Sequence, residues 1–177
     1  LSDFLRKSLE KENDRLGQVY KSALAMNSGL DLPNVLAIIT KCFNETGLSN
    51  ATVIRLLSED GLTLNIASAE GISSEYAQRG SVALKDDEID SEAIKCKCPV
   101  FVSDVAKDER FLYKSEAERE NLRSLLCIPL FSNEKAIGII RCYTSDYHEF
   151  SDEDVEFLSL LAAQASLAIS NALSYDK

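Results

Sequence analysis

The sequence predicts a single-core α+β domain on three observations. Long amphipathic helical patterns stand at both ends, two strand-turn-strand patterns lie between them, and a polar, irregular stretch separates the two hairpins. The 177 residues suit one compact domain with a modest extension. A domain of roughly 150 residues buries roughly 68–70% of the surface its unfolded chain exposes, so neither metal nor disulfide is needed to hold it. The expected division is an N-terminal helix over 1–27 and a domain over 28–177.

The elements follow in order. Leu5, Leu9, Glu12, Leu16, Val19, Ala23 and Met26 recur at spacings of four and three, the heptad seam of a helix that meets a partner helix. Asn27-Ser28-Gly29 stops it, and Asp31-Leu32-Pro33 opens a second helix that runs to about Glu45. Ala51–Leu57 and Leu62–Ser68 are β-branched and apolar across Ser58-Glu59-Asp60-Gly61, which predicts a hairpin. Residues 72–98 read as short helices around a weak strand at 80–84, and Val100–Val102 as a short strand behind Pro99. A polar helix is expected over 114–121, then a second hairpin from Ser124–Leu130 and Ile137–Tyr143. Ser151 caps a last long helix with Glu153 and Asp154 in its first turn and Leu158, Leu161 and Ala165 along it.

Net charge is −10, which argues electrostatically against nucleic-acid binding and against contact with an anionic membrane. No uninterrupted apolar run approaches the roughly 18–20 residues of a membrane span. The odd count of five cysteines argues against an extracellular disulfide framework and for a reducing, cytoplasmic setting, including the cytoplasmic part of a membrane-anchored protein. A start at Leu1, within a helical pattern, suggests a piece of a longer polypeptide.

Four stretches together resemble a GAF domain, the small ligand-sensing module of signalling proteins. They are Ala93-Ile94 with Pro99-Val100-Phe101-Val102-Ser103-Asp104-Val105; Leu122-Arg123-Ser124-Leu125-Leu126-Cys127-Ile128-Pro129-Leu130; Ile137-Gly138-Ile139-Ile140; and Phe150-Ser151 with Glu153, Leu158, Leu161-Ala162, Gln164-Ala165 and Ala168-Ile169. The resemblance implies an antiparallel sheet of five or six strands, with the terminal helices on one face and the irregular middle covering a small-molecule pocket on the other. It also implies a regulatory module of a bacterial-type signalling protein, such as a histidine kinase in a two-component system or a cyclic-dinucleotide enzyme, whose output domain lies outside this fragment.

The family's better-known ligands need side chains that are poorly matched. Thr144-Ser145 stand where the cyclic-nucleotide subgroup carries Asn-Lys, although Phe150 and Asp152-Glu153 fit. No cysteine precedes a histidine, as bilin attachment commonly requires, and the single histidine, His148, falls in a loop outside the expected pocket. The cofactor is therefore unknown, with no haem, bilin or metal expected, and no nucleophile-base-acid set is recognisable. Cys96 and Cys98, with Cys127, leave open a thiol-based redox sensor or an enzyme like the methionine sulfoxide reductases of this family. A ligand-free dimerisation module is the third reading.

The expected ligand-binding residues are Arg55, Tyr76, Ile94, Phe101, Phe111, Tyr113, Leu125, Cys127 and Arg141, taken from the cover and from one alternating side of the strands. Two arginines in apolar strands suit a carboxylate or phosphate if they share the covered face, and the alternative is pairing with acids at a sheet edge. A parallel homodimer is expected through the terminal helices, using Leu5, Leu9, Leu16, Val19, Ala23, Leu160 and Leu167.

Overall fold

A computed structural model describes residues 2–28 and 31–175, so the proposed stop at Gly29 lies outside the described residues. The order is α1 (Ser2–Met26), α2 (Leu32–Glu45), β1 (Ala51–Leu57), β2 (Thr63–Glu70), α3 (Ser74–Ala77), β3 (Val82–Ala83), α4 (Glu88–Cys96), β4 (Val100–Val102), α5 (Lys114–Arg119), β5 (Ser124–Ser132), β6 (Lys135–Thr144) and α6 (Asp152–Tyr175). Local chemistry accounts for the helix starts. The Asp31 side chain accepts from the Asn34 amide at the start of α2. Ser151 and Asp154 cap α6 reciprocally: Ser151 Oγ accepts from the Asp154 amide at 3.0 Å, and the Asp154 carboxylate accepts from the Ser151 amide at 3.2 Å.

The strands form one antiparallel sheet in the order β3-β2-β1-β6-β5-β4, so β1 and β6 are central. The β5-β6 hairpin turns through Asn133 and Glu134, both with positive φ (50° and 68°), which closes it in two residues. One face carries an aliphatic core in which α2 and α6 cover Ile54, Leu126, Ile128, Ile140 and Cys142. The other packs Val53, Leu125, Cys127, Ile139 and Tyr143 beneath α3, α4 and the 103–123 segment.

Gly138 explains the Ile-Gly opening of β6. It pairs with Leu56, and a Cβ there would meet the Arg55 carbonyl oxygen at 2.2 Å, so only glycine lets the two central strands approach. Gly138→Ala is expected to lower stability by about 1–3 kcal/mol or more, read as a lower urea midpoint. An unchanged midpoint would show that β1 yields freely.

The N-terminal seam divides. Arg15 Nη2 donates to Asp154 at 2.6 Å, and Asn27 Oδ1 accepts from Asn171 at 3.4 Å, so α1 and α6 run in the same direction from Arg15 onward. Ser22 and Met26 are buried and Val19 is partly buried against the core, and Ala23 is half-buried. Val19 packs partly against its own subunit's core and still lines a surface groove beside Leu16 and Leu160, so the stripe serves both sides. The reason is geometric: α1 meets α6 only in its second half, and Arg15, Val19, Ser22 and Met26 form the stripe that lands there. Every residue from 2 to 14 is exposed, Leu5, Leu9 and Leu16 are 54–59% exposed, and Leu160 and Leu167 of α6 are 47% and 53% exposed. Leu16 and Leu160 line a shared surface groove of about 300 Å³.

By length and composition α6 is long and apolar enough to cross a membrane, contrary to the expectation that no segment of the chain approaches that length. Half of this apolar stretch is buried within the domain, with Leu158, Leu161, Ala165 and Ile169 packed against the sheet and α2.

Candidate functional site

The covered face is built around four buried charges. Arg55 and Arg141 stand on adjacent central strands, where Val53 opposes Arg141 and Arg55 opposes Ile139, so the two guanidinium groups are diagonal neighbours on one face. Both lie under the cover as the sequence predicts, and both are 1–2% exposed.

Their charges are matched from above. Asp87 caps α4 and accepts from the Asp90 amide, which brings both carboxylates to the helix start, where the dipole favours them. Arg55 Nη1 donates to Asp87 at 3.0 Å and to Asp90 at 2.8 Å. Arg141 donates from Nε to Asp90 at 2.9 Å, from Nη2 to Asp87 at 2.9 and 3.0 Å, and from Nη1 to the Tyr143 hydroxyl at 3.0 Å. The acids come from the cover over the sheet centre, which corrects the expectation of pairing at a sheet edge. It also corrects the idea of two open guanidinium groups, because each already holds both carboxylates.

Burial disfavours the Asp90 carboxylate, but Arg141 and Arg55 outweigh it and hold its pKa below the usual value. Its contribution to stability is complete above the unfolded value of about 3.9 and is lost as the pH falls through the lowered folded value. The stability gap between wild type and Asp90→Asn is therefore expected to narrow below about pH 4 in urea titrations. A gap that widens there would contradict the assignment.

Of the other expected site residues, Leu125 and Cys127 come from β5, Phe101 from β4 and the rest from the cover. Phe111, Leu125 and Cys127 are buried in this cluster, Tyr76 contacts Tyr143 hydroxyl to hydroxyl at 3.3 Å, and Ile94 and Tyr113 pack against its border. Phe101 does not join them. Between the inward Val100 and Val102 it points to the opposite face, meets Phe150 edge-on at 5.8 Å and is 38% exposed, a one-residue error in the side it presents. His148 also packs against Phe150, at 4.9 Å between rings.

Arg79 is the residue the sequence reading missed. Its guanidinium carbon lies 3.9 Å from the ring centre of Tyr76 and 3.6 Å from that of Tyr113. Its three guanidinium nitrogens are buried and find no hydrogen-bond partner among the described residues. Beside it is a cavity of about 10 Å³ lined by Arg55, Leu64, Ile66, Arg79, Gly80, Val82 and Tyr113. No periodic signal marks Arg79, since it follows a four-residue helix in an irregular stretch.

A much larger open groove, about 770 Å³, lies outside this cluster and is lined by residues including Leu62, Leu84, Ser91, Lys95, Cys96 and Arg110. None of the nine expected ligand-binding residues lines it. Cys96 and Cys98 are joined as a disulfide. A bridge across one residue constrains little of the unfolded chain, so it is no framework of the extracellular kind. Cys127 is fully buried; burial and the neighbouring Asp90 raise its thiol pKa well above the ordinary value, and its Sγ donates to Asp90 at 3.3 Å. Both the burial and the raised pKa disfavour the thiolate there. The described residues hold no cluster of three or more His, Cys, Asp or Glu placed for a metal.

A sheet with helices on one face and an irregular cover over a charged centre defines the class. The GAF domain family model matches residues 29–170, and the chain belongs to that family. Comparison with curated proteins finds no match. Among solved structures, it is similar to the GAF domain of an Acinetobacter phosphoenolpyruvate-protein phosphotransferase, at 21% identity over 92% of this chain and 96% of that one, TM-score 0.77. The GAF domain of the Coxiella burnetii phosphoenolpyruvate-protein phosphotransferase gives 16% identity, the same coverages and TM-score 0.81. Free methionine-R-sulfoxide reductase from Neisseria meningitidis, in complex with its substrate, gives 17% identity over 89% of each chain and TM-score 0.73. At these identities the likeness is one of fold.

Proposed function

We propose that this chain is a regulatory sensor domain of a cytoplasmic, bacterial-type signalling protein. It binds a small molecule between sheet and cover and passes its state through paired terminal helices to an output domain. The observation that carries the reading is the buried Arg55-Arg141-Asp87-Asp90 cluster, which ties the cover helix α4 to the two central strands. A purely structural interface has little use for four desolvated charges, since apolar residues of similar volume do as well or better. A cover latched by directional bonds responds as a unit when a ligand enters beneath it.

The terminal helices suit transmission. Leu5, Leu9, Leu16, Leu160 and Leu167 remain exposed on two helices that run the same way. A second copy would cover them, and a shift in the sheet would then slide or rotate the pair. A thermal-shift screen over metabolites, followed by native mass spectrometry, tests the sensor reading. A ligand at a hundred times its dissociation constant adds about 2.7 kcal/mol. Failure of the whole screen would favour a ligand-free dimerisation module.

One observation favours a second reading. Cys96 and Cys98 are already paired, and Cys96 lines the large groove, which suits a thiol-based redox sensor or reductase using that pair without Cys127. Thiol-dependent reductase turnover that is lost in Cys96→Ser would support it over the sensor reading.

A further inference from the structure

The covered face holds three guanidinium groups, Arg55, Arg141 and Arg79, against two buried carboxylates, Asp87 and Asp90. The carboxylates are consumed by Arg55 and Arg141, and Arg79 is left with aromatic faces and no acceptor. Burying a charge without a partner is unfavourable, and tyrosine rings attract a cation without accepting the directed bonds of its N–H groups. We propose that Arg79 is an anion receptor, and that the ligand of this domain is a small organic anion whose carboxylate or phosphate pairs with it between Tyr76 and Tyr113. This deepens the sensor reading and rests on it.

A guanidinium fork matches either anion with paired hydrogen bonds, whereas Arg55 and Arg141 keep the cover latched. The adjacent cavity of about 10 Å³ has room for about one water, so an organic ligand must displace the segment that carries Arg79. That segment is short and irregular, and Tyr76 anchors it in the covered core. Its helix α3 has four residues and β3 has two, and its ties include Ser73 to Glu120 and Tyr76 to Tyr143. Moving Tyr76 reaches Tyr143 and, through it, Arg141 of the latch.

The test uses matched probes at constant ionic strength: acetate with acetamide, benzoate with benzamide, and inorganic phosphate with phenyl phosphate. Binding is followed by calorimetry and by tyrosine fluorescence. The expected result is that at least one anion binds wild type tenfold or more tightly than the neutral probes, with carboxylate and phosphate members separating the two head groups. Arg79→Met, of similar length, should lose that preference, Arg79→Lys should keep part of it, and Arg110→Gln in the open groove should leave it intact. Neutral probes that bind as well as the anions, or anion binding that survives Arg79→Met, would overturn the receptor and leave the sensor reading standing. Absence of binding by every anion also overturns it, while the metabolite screen judges the sensor reading separately.

Discussion

Replacing Asp90 by alanine is expected to destabilise the protein by about 3–5 kcal/mol, the range for removing one member of a buried ion pair. Asp90 accepts from both Arg55 and Arg141 at 2.8–2.9 Å and is 0% exposed, so its loss leaves two buried cations to share Asp87. At about 2–4 °C per kcal/mol for a chain of this size, the melting temperature should fall by roughly 6–20 °C. Asp108→Asn is the comparison, because Asp108 pairs with the part-exposed Arg110 and pairs of that kind contribute about 0–1 kcal/mol. If Asp90→Ala melts within a degree or two of wild type, water reaches the cluster and the latch is not the anchor of α4. A second consequence separates latch from packing. Hydrogen exchange should speed up in α4 and leave α2 and α6 protected, since those helices rest on the other face.

The double substitution Leu9→Asp, Leu16→Asp is expected to convert a dimer into a folded monomer. Both leucines are more than half exposed, and neither belongs to the cores on the two faces of the sheet, so the monomer's stability should change little. A fully buried leucine contributes about 1.5–3 kcal/mol. Two protomers bring ten leucines, Leu5, Leu9, Leu16, Leu160 and Leu167 of each, and because each is about half exposed they supply on the order of ten kcal/mol, against an association cost of roughly 4–15 kcal/mol. Two aspartates placed opposite their symmetry copies remove apolar area and add repulsion. Light scattering at tens of micromolar reads the outcome, with circular dichroism as the check on folding. A wild type that is already monomeric, or a variant that remains fully dimeric, would show that this seam is not the interface.

What the sequence by itself determined is the fold. The β-branched and apolar runs of Ala51–Leu57 and the 124–144 hairpin, the Asp31 and Ser151 caps and the long apolar stripe of the last helix are local signals with local physical causes, and the structure realises each of them. Alternation also put Arg55, Arg141, Leu125 and Cys127 on one face, because side-chain period in a strand is independent of what lies above it. It failed at Phe101, where three residues behind a proline offer too few positions to set the side.

Tertiary structure alone decided what the site is made of. Asp87 and Asp90 look like an ordinary helix cap and first-turn acid, and only the descent of α4 onto β1 and β6 makes them the counter-charges of two strand arginines 32 to 54 residues away. Arg79 carries no periodic signal at all. Its orphaned guanidinium depends on where two tyrosines from separate segments close around it. The division of the α1 stripe between Met26, buried in its own core, and Leu9 and Leu16, left to solvent, likewise depends on where α6 begins beside it. Secondary structure follows from contacts a few residues apart, while charge pairing and exposure depend on groups brought together from distant parts of the chain.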